Sequence, residues 1–125
     1  MNIELLEISK DNLMVSNETF SFSSALFLNL AKSEFSQIGV SKKMDVNLDG
    51  DIVNFKLCKL SPFIRESITR FLEVMLVDVS DECFENLGEN PSKDEFLEYT
   101  YDVKELIRFI KALKKRKYNY LKRTG

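Results

Sequence analysis

Residues 45–52 read Asp-Val-Asn-Leu-Asp-Gly-Asp-Ile, the spacing in this chain that comes closest to a metal site. Asp45, Asn47 and Asp49 supply oxygen at positions 1, 3 and 5 of a calcium loop, with Gly50 at position 6 and Ile52 at position 8. The closing ligand position falls on Lys56, so a cation stands where a carboxylate must complete the shell. A β-hairpin explains the same residues better. Met44, Val46 and Leu48 alternate before Asp49-Gly50, and Val53, Phe55 and Leu57 alternate after it. Asp-Gly is a preferred type I′ turn because both central residues need positive φ. A turn at 49–50 pairs Leu48 with Asp51, Val46 with Val53 and Met44 with Phe55, leaving Ile52 alone on the opposite face. The hairpin is therefore the expectation, calcium the alternative, and no metal ligand or cofactor is assigned.

Other chemistry is thin. The 125 residues contain no histidine, which removes Ser-His and Cys-His couples and imidazole zinc ligands. Cys58 and Cys83 are too few and too separated for a zinc site, and their apolar neighbourhoods suit buried free thiols. Carboxylates are plentiful, yet no pair has a spacing that implies acid-base work and no phosphate loop is present. No catalytic residue is assigned, and an enzyme is not expected. Residues 1–4, Met-Asn-Ile-Glu, lack a basic segment and an apolar run, so no signal peptide is expected. No apolar stretch reaches the roughly 18 residues that span a membrane. A reduced, cytoplasmic protein is the expectation.

The net charge of -2 hides two blocks. Residues 1–103 balance at -10, whereas residues 104–125 balance at +8, with Glu105 their one acid. Lys111, Lys114, Lys115, Arg116, Lys117, Lys122 and Arg123 form a basic stripe interleaved with Tyr118 and Tyr120. It could contact phosphates, on nucleic acid or on an anionic membrane. Pairing with the acidic stretch 73–102, within or between chains, is the simpler account.

These features must be carried by elements. Residues 3–8 and 13–15 read as two strands around the polar turn Lys10-Asp11-Asn12. Residues 25–30 could begin a helix capped by Ser23, but a strand is favoured because Ser33, Ser36 and Gly39 weaken the helical continuation. Ser61-Pro62 is a helix start, and Ile64, Ile68, Phe71, Leu72, Met75 and Val79 recur at helical spacing over about four turns. A short second helix is expected from Asp81 to near Gly88. Ser92 and Glu95 form a capping box that opens a long last helix. Along it Phe96, Tyr99, Val103, Leu106, Ile110, Leu113, Lys117 and Tyr120 are spaced 3-4-3-4-3-4-3, a heptad seam. Packing against the chain's own domain explains the seam. A coiled-coil contact with another subunit is the functional reading, and it makes the apolar members partner contacts.

Residues 7–15, Glu-Ile-Ser-Lys-Asp-Asn-Leu-Met-Val, resemble a degraded PilZ signature, an acid or amide two residues before a serine and a glycine three after it. Ser9 matches, while Glu7 and Asn12 stand for the other two. The order signature turn, strands, hairpin, Leu60-Ser61-Pro62 and helix is also similar to PilZ over residues 3–77. The resemblance implies a small β-barrel with a closing helix and work with bacterial signalling, motility or secretion machinery. It would place ligand contacts at Glu7, Ser9 and Asn12. The family's paired arginines should lie upstream of the serine, where this chain has no arginine, so cyclic di-GMP binding is not expected.

The resulting expectation is an α+β chain. Residues 1–79 form a PilZ-like antiparallel barrel or sheet with a closing helix, and residues 80–125 a helical extension. It is expected to act as a non-enzymatic interaction or adaptor module that self-associates through its last helix. The alternatives are a cyclic-dinucleotide or calcium sensor and a nucleic-acid-binding protein.

Overall fold

The hairpin at Asp49-Gly50 forms in the expected register. A computed structural model describes residues 2–123. In it β3 (Ser41–Leu48) and β4 (Asp51–Lys59) pair antiparallel, with Leu48 opposite Asp51, Val46 opposite Val53 and Met44 opposite Phe55. Asp49 and Gly50 take φ of 54° and 93°, and the Asn47 Oδ1 accepts from the Gly50 N–H at 2.9 Å. Ile52 faces outward and is 66% exposed. The Asp45 carboxylate accepts from Asn54 Nδ2 across the ladder at 2.9 Å, so residues 45–51 form strand, turn and strand.

Four strands precede the long helices and a fifth follows them. β1 (Asn2–Ile8) and β2 (Met14–Ser21) form an antiparallel hairpin, and β5 (Tyr120–Lys122) lies between β1 and β4. The order is β2-β1-β5-β4-β3, all antiparallel. At one end the outer strands meet, where Leu13 bridges Asn47 and the Asn47 N–H donates to the Asn12 carbonyl at 2.7 Å. The protein is therefore α+β, with a five-stranded antiparallel sheet and two long helices.

The helices differ from expectation in three places, each for a packing reason. Residues 25–30 belong to α1 (Ser24–Lys32), not to a strand. Ser23 Oγ caps it by accepting from the Leu26 N–H at 3.2 Å, and Leu26 and Leu30, one turn apart, are both buried. A single 3-10 turn, Glu34–Ser36, follows and buries Phe35. Next, α2 (Pro62–Leu87) is one helix, with no break at Asp81. Cys83 and Leu87 continue its buried side a turn apart, and the helix stops at Gly88 with φ of 67°. Finally, α3 (Lys93–Lys114) opens on the expected Ser92–Glu95 capping box but ends before Tyr120. Arg116 turns the chain at φ of 58°, and Tyr118 and Leu121 are then buried. Leaving the helix there buries two large side chains and fills the gap between β1 and β4.

The proposed division at residue 79/80 does not hold. That boundary falls inside α2, and β5, from the supposed extension, is the middle strand of the sheet. On one face of the sheet, Phe109 of α3 sits among Phe20, Phe22 and Phe35 at centroid distances of 4.9, 6.1 and 6.2 Å. Ile68 and Leu72 of α2 and Leu106 and Leu113 of α3 join that core. On the other face Leu6, Ile8, Val46 and Leu57 pack with Met44, Phe55 and Tyr120.

Candidate functional site

The signature-like turn is built by its own residues. The Ser9 N–H donates to the Leu13 carbonyl at 2.9 Å, and Ser9 Oγ accepts from the Leu13 N–H at 3.2 Å. Asn12, in the place of the glycine, has φ of 61°, a conformation that asparagine tolerates better than most residues. Glu7 accepts a hydrogen bond from Ser16 across the hairpin at 2.7 Å. Glu7 and Ser9 thus spend their polar groups holding β1 to β2.

The seam on the last helix divides by depth. Leu106, Ile110 and Leu113 are buried in the chain's own core and are not partner contacts. Val103 is half-buried, Phe96 and Tyr99 are exposed, and Tyr120 lies on β5 against the second core. The heptad therefore does not form one continuous strip on a helix. Its first turns face outward, its middle turns hold α3 to the sheet, and its last member is on a strand.

The basic stripe also divides. Arg123, expected on a helix, lies just beyond β5 and donates to the carbonyls of Phe35, Ile38 and Gly39 and to Ser41 Oγ at 2.6–3.1 Å. Burial pushes its guanidinium below the usual arginine range. Arg116 sits in the turn after α3, and Lys114 lies 3.7 Å from Glu73. Lys111, Lys115 and Lys117 are exposed. On α2, Arg65 donates to the carbonyls of Leu113 and Tyr118, capping the end of α3.

A polar clamp that the spacing did not reveal joins α3 to β2. Arg108 donates from Nε to Glu105 at 2.8 Å, from Nη1 to Glu18 at 2.9 Å and from Nη2 to the Thr19 carbonyl at 2.7 Å. Its guanidinium lies 4.3 Å from the Phe20 ring centroid. Glu105 also accepts from the Ser21 N–H at 2.8 Å, and Tyr118 donates to Glu18 at 3.0 Å. Hydrogen bonds from Arg108 hold the Glu105 carboxyl below the usual carboxylate range. Burial raises the Tyr118 phenol.

Because Glu105 has a lowered native pKa, its contribution to stability is full above about pH 4.5 and is lost as pH falls through the lowered value. Glu105→Gln should cost about 1 kcal/mol at neutral pH, since the Arg108 pair is partly exposed. Urea titrations of both proteins should converge as the buffer is taken down to pH 3. A gap that stays constant across that range refutes the assignment.

What remains outward-facing and unexplained is apolar. Phe63, Val74, Val77 and Phe84 on α2 are 60–76% exposed. Phe96, Leu97, Tyr99 and Tyr101 on α3 are also exposed, although the Tyr101 hydroxyl donates to the Ser21 carbonyl. Among the described residues, 80–100 supply no member of either core, whereas Tyr101 and Glu105 bond the end of β2 at Ser21. The spacing read along α2, Ile64 to Val79, picks out the core-facing stripe alone, and the outward residues Phe63, Val74, Val77 and Phe84 repeat at helical spacing on another side of the same helix. No helix among the described residues is long and apolar enough to cross a membrane, and no group of three acidic or thiol ligands gathers there. No family model, curated protein or solved structure matches the chain.

Proposed function

We propose that this chain is a non-enzymatic interaction module that presents its α2–α3 hairpin to another protein. The observation that carries the proposal is the exposed apolar set Phe63, Val74, Val77 and Phe84 on α2, extended by Phe96 and Leu97 on α3. Apolar surface gathered along one helical hairpin gains most by being covered, which is what a docking surface does. A PilZ-like β part is retained within this proposal. Supporting it are Asn12 in left-handed backbone at the signature glycine's place and the order hairpin, Leu60-Ser61-Pro62, helix. Cyclic di-GMP is not proposed as a ligand, since Ser9 and Glu7 are engaged inside the turn and Arg65, Arg108 and Arg123 are engaged elsewhere. Calcium is not proposed either, because Asp45 and Asn47 serve the hairpin. A reducing cytoplasm suits the two buried free thiols, Cys58 and Cys83.

The test is capture of protein from the native cells on the immobilised chain, with the mass of the assembly measured. Phe84→Ser with Phe96→Ser should abolish association and leave the melting temperature within a few degrees, since both side chains are exposed. A wild-type chain that neither self-associates nor retains a protein overturns the proposal.

A further inference from the structure

The exposed side of α2 is itself a heptad seam. Ser67, Arg70, Val74, Val77, Asp81 and Phe84 follow one another at spacings of 3-4-3-4-3, with Phe63 one turn earlier. Leu72 and Val79, on the opposite side of the helix, face the core. Ser67 is half-buried and the other seam residues are exposed. At 26 residues and about 1.5 Å per residue, α2 is long enough for a two-helix contact about 39 Å in length.

We propose that a second copy of this chain covers the seam, α2 lying antiparallel against α2 about a two-fold axis between Val74 and Val77. This inference rests on the interaction reading above and names its partner. The charges on the seam choose both the partner and the direction. Its one cation, Arg70, and its one anion, Asp81, lie four residues outside Val74 and Val77 respectively. An antiparallel two-fold pair therefore sets each Arg70 on the partner's Asp81, twice per dimer. The same register sets Val74 on the partner's Val77, Phe84 on the partner's Ser67, and Phe63 on the partner's Gly88, so large residues meet small ones.

The flanks agree. Beside the seam, Glu73 comes near the partner's Ser80 and Phe71 near the partner's Asp78, with no like charges opposed. A parallel pair would instead stack Arg70 on Arg70 and Asp81 on Asp81. Arg70 already touches Glu66 on its own helix, but both side chains are more than 60% exposed, and so weak a pair leaves the guanidinium free to reach across.

Sedimentation of the full chain over a range of concentrations provides the test. The wild type should dimerise. Arg70→Asp creates two acid–acid contacts and Asp81→Arg two cation–cation contacts, so each single variant should dimerise about a hundredfold more weakly. Mixing the two variants restores both opposite-charge contacts and should return the dimer, as should R70D/D81R in one chain. Circular dichroism should show every variant folded, because both positions are exposed. A strictly monomeric wild type, or single variants that dimerise like the wild type, overturns the seam. So does a mixture that stays monomeric. A dimer insensitive to the charge changes leaves the interaction reading standing on another surface, whereas a monomer that also retains no protein removes both.

Discussion

A chain ending at Lys117 should fail to fold. The residues removed include β5, which fills the space between β1 and β4 and pairs Leu5 and Cys58 to Leu121 and Leu6 and Lys59 to Tyr120. Their loss also removes Asn119. Its side chain gives and takes hydrogen bonds with the Ile8 backbone, and its main chain bonds Leu6 and Leu60. Leu121 is fully buried and Tyr118 nearly so. Losing one such leucine costs about 2–5 kcal/mol, and each buried backbone group left unpaired adds about 1–3 kcal/mol. Together these losses exceed the roughly 5–15 kcal/mol that holds a domain folded. Circular dichroism and limited proteolysis should show a chain without a cooperative thermal transition. A truncated chain melting within a few degrees of the full one would mean that β5 is dispensable and the sheet order wrong. On loss of the transition, residues 80–125 would be no separable helical extension.

Phe109→Ala should be the most damaging single substitution in the core. The ring is fully buried and packs on Phe20, Phe22 and Phe35, which come from β2, the segment after it and the 3-10 turn. Removing it leaves a cavity at a junction of three segments that cannot all close in. The expected cost is about 3–5 kcal/mol, and a fall in Tm of about 10–20 °C. Phe96→Ala, on the same helix but exposed, is the control and should shift Tm by no more than a few degrees. Equal effects at the two positions would refute the placement of α3 on the sheet.

Much of the backbone was legible in the residues. The Asp49-Gly50 hairpin was, because turn chemistry and alternation on both arms specify the same register. The caps at Ser61 and Ser92 were, because a hydroxyl with Pro62 or Glu95 behind it satisfies helix N–H groups locally. Residues 24–32 were harder, since a short apolar run carries both periods and the deciding contact, Leu26 and Leu30 against the core, is remote in sequence. The end of α3 was harder still. Lys114 to Lys117 are good helix formers, and only the vacancy between β1 and β4 draws Tyr118 and Leu121 out of the helix.

The candidate site divides along the same line. The turn residues Glu7, Ser9 and Asn12 were visible as a local pattern, and so was the repeat from Phe96 to Tyr120. Spacing says which side chains share a face, not which face is covered. The structure turned Leu106, Ile110 and Leu113 inward and left Val74, Val77 and Phe84 outside.

By itself, then, the sequence determined what neighbouring residues decide: the hairpin register, the helix starts, the absence of imidazole chemistry and the two blocks of charge. Tertiary structure alone decided that β5 sits in the middle of the sheet, that Arg108, Arg65 and Arg123 serve backbone and carboxylate groups, and that the open seam lies on α2. Those outcomes depend on contacts between residues 48–111 positions apart, where local propensity carries no information and burial chooses among faces that the pattern leaves equivalent.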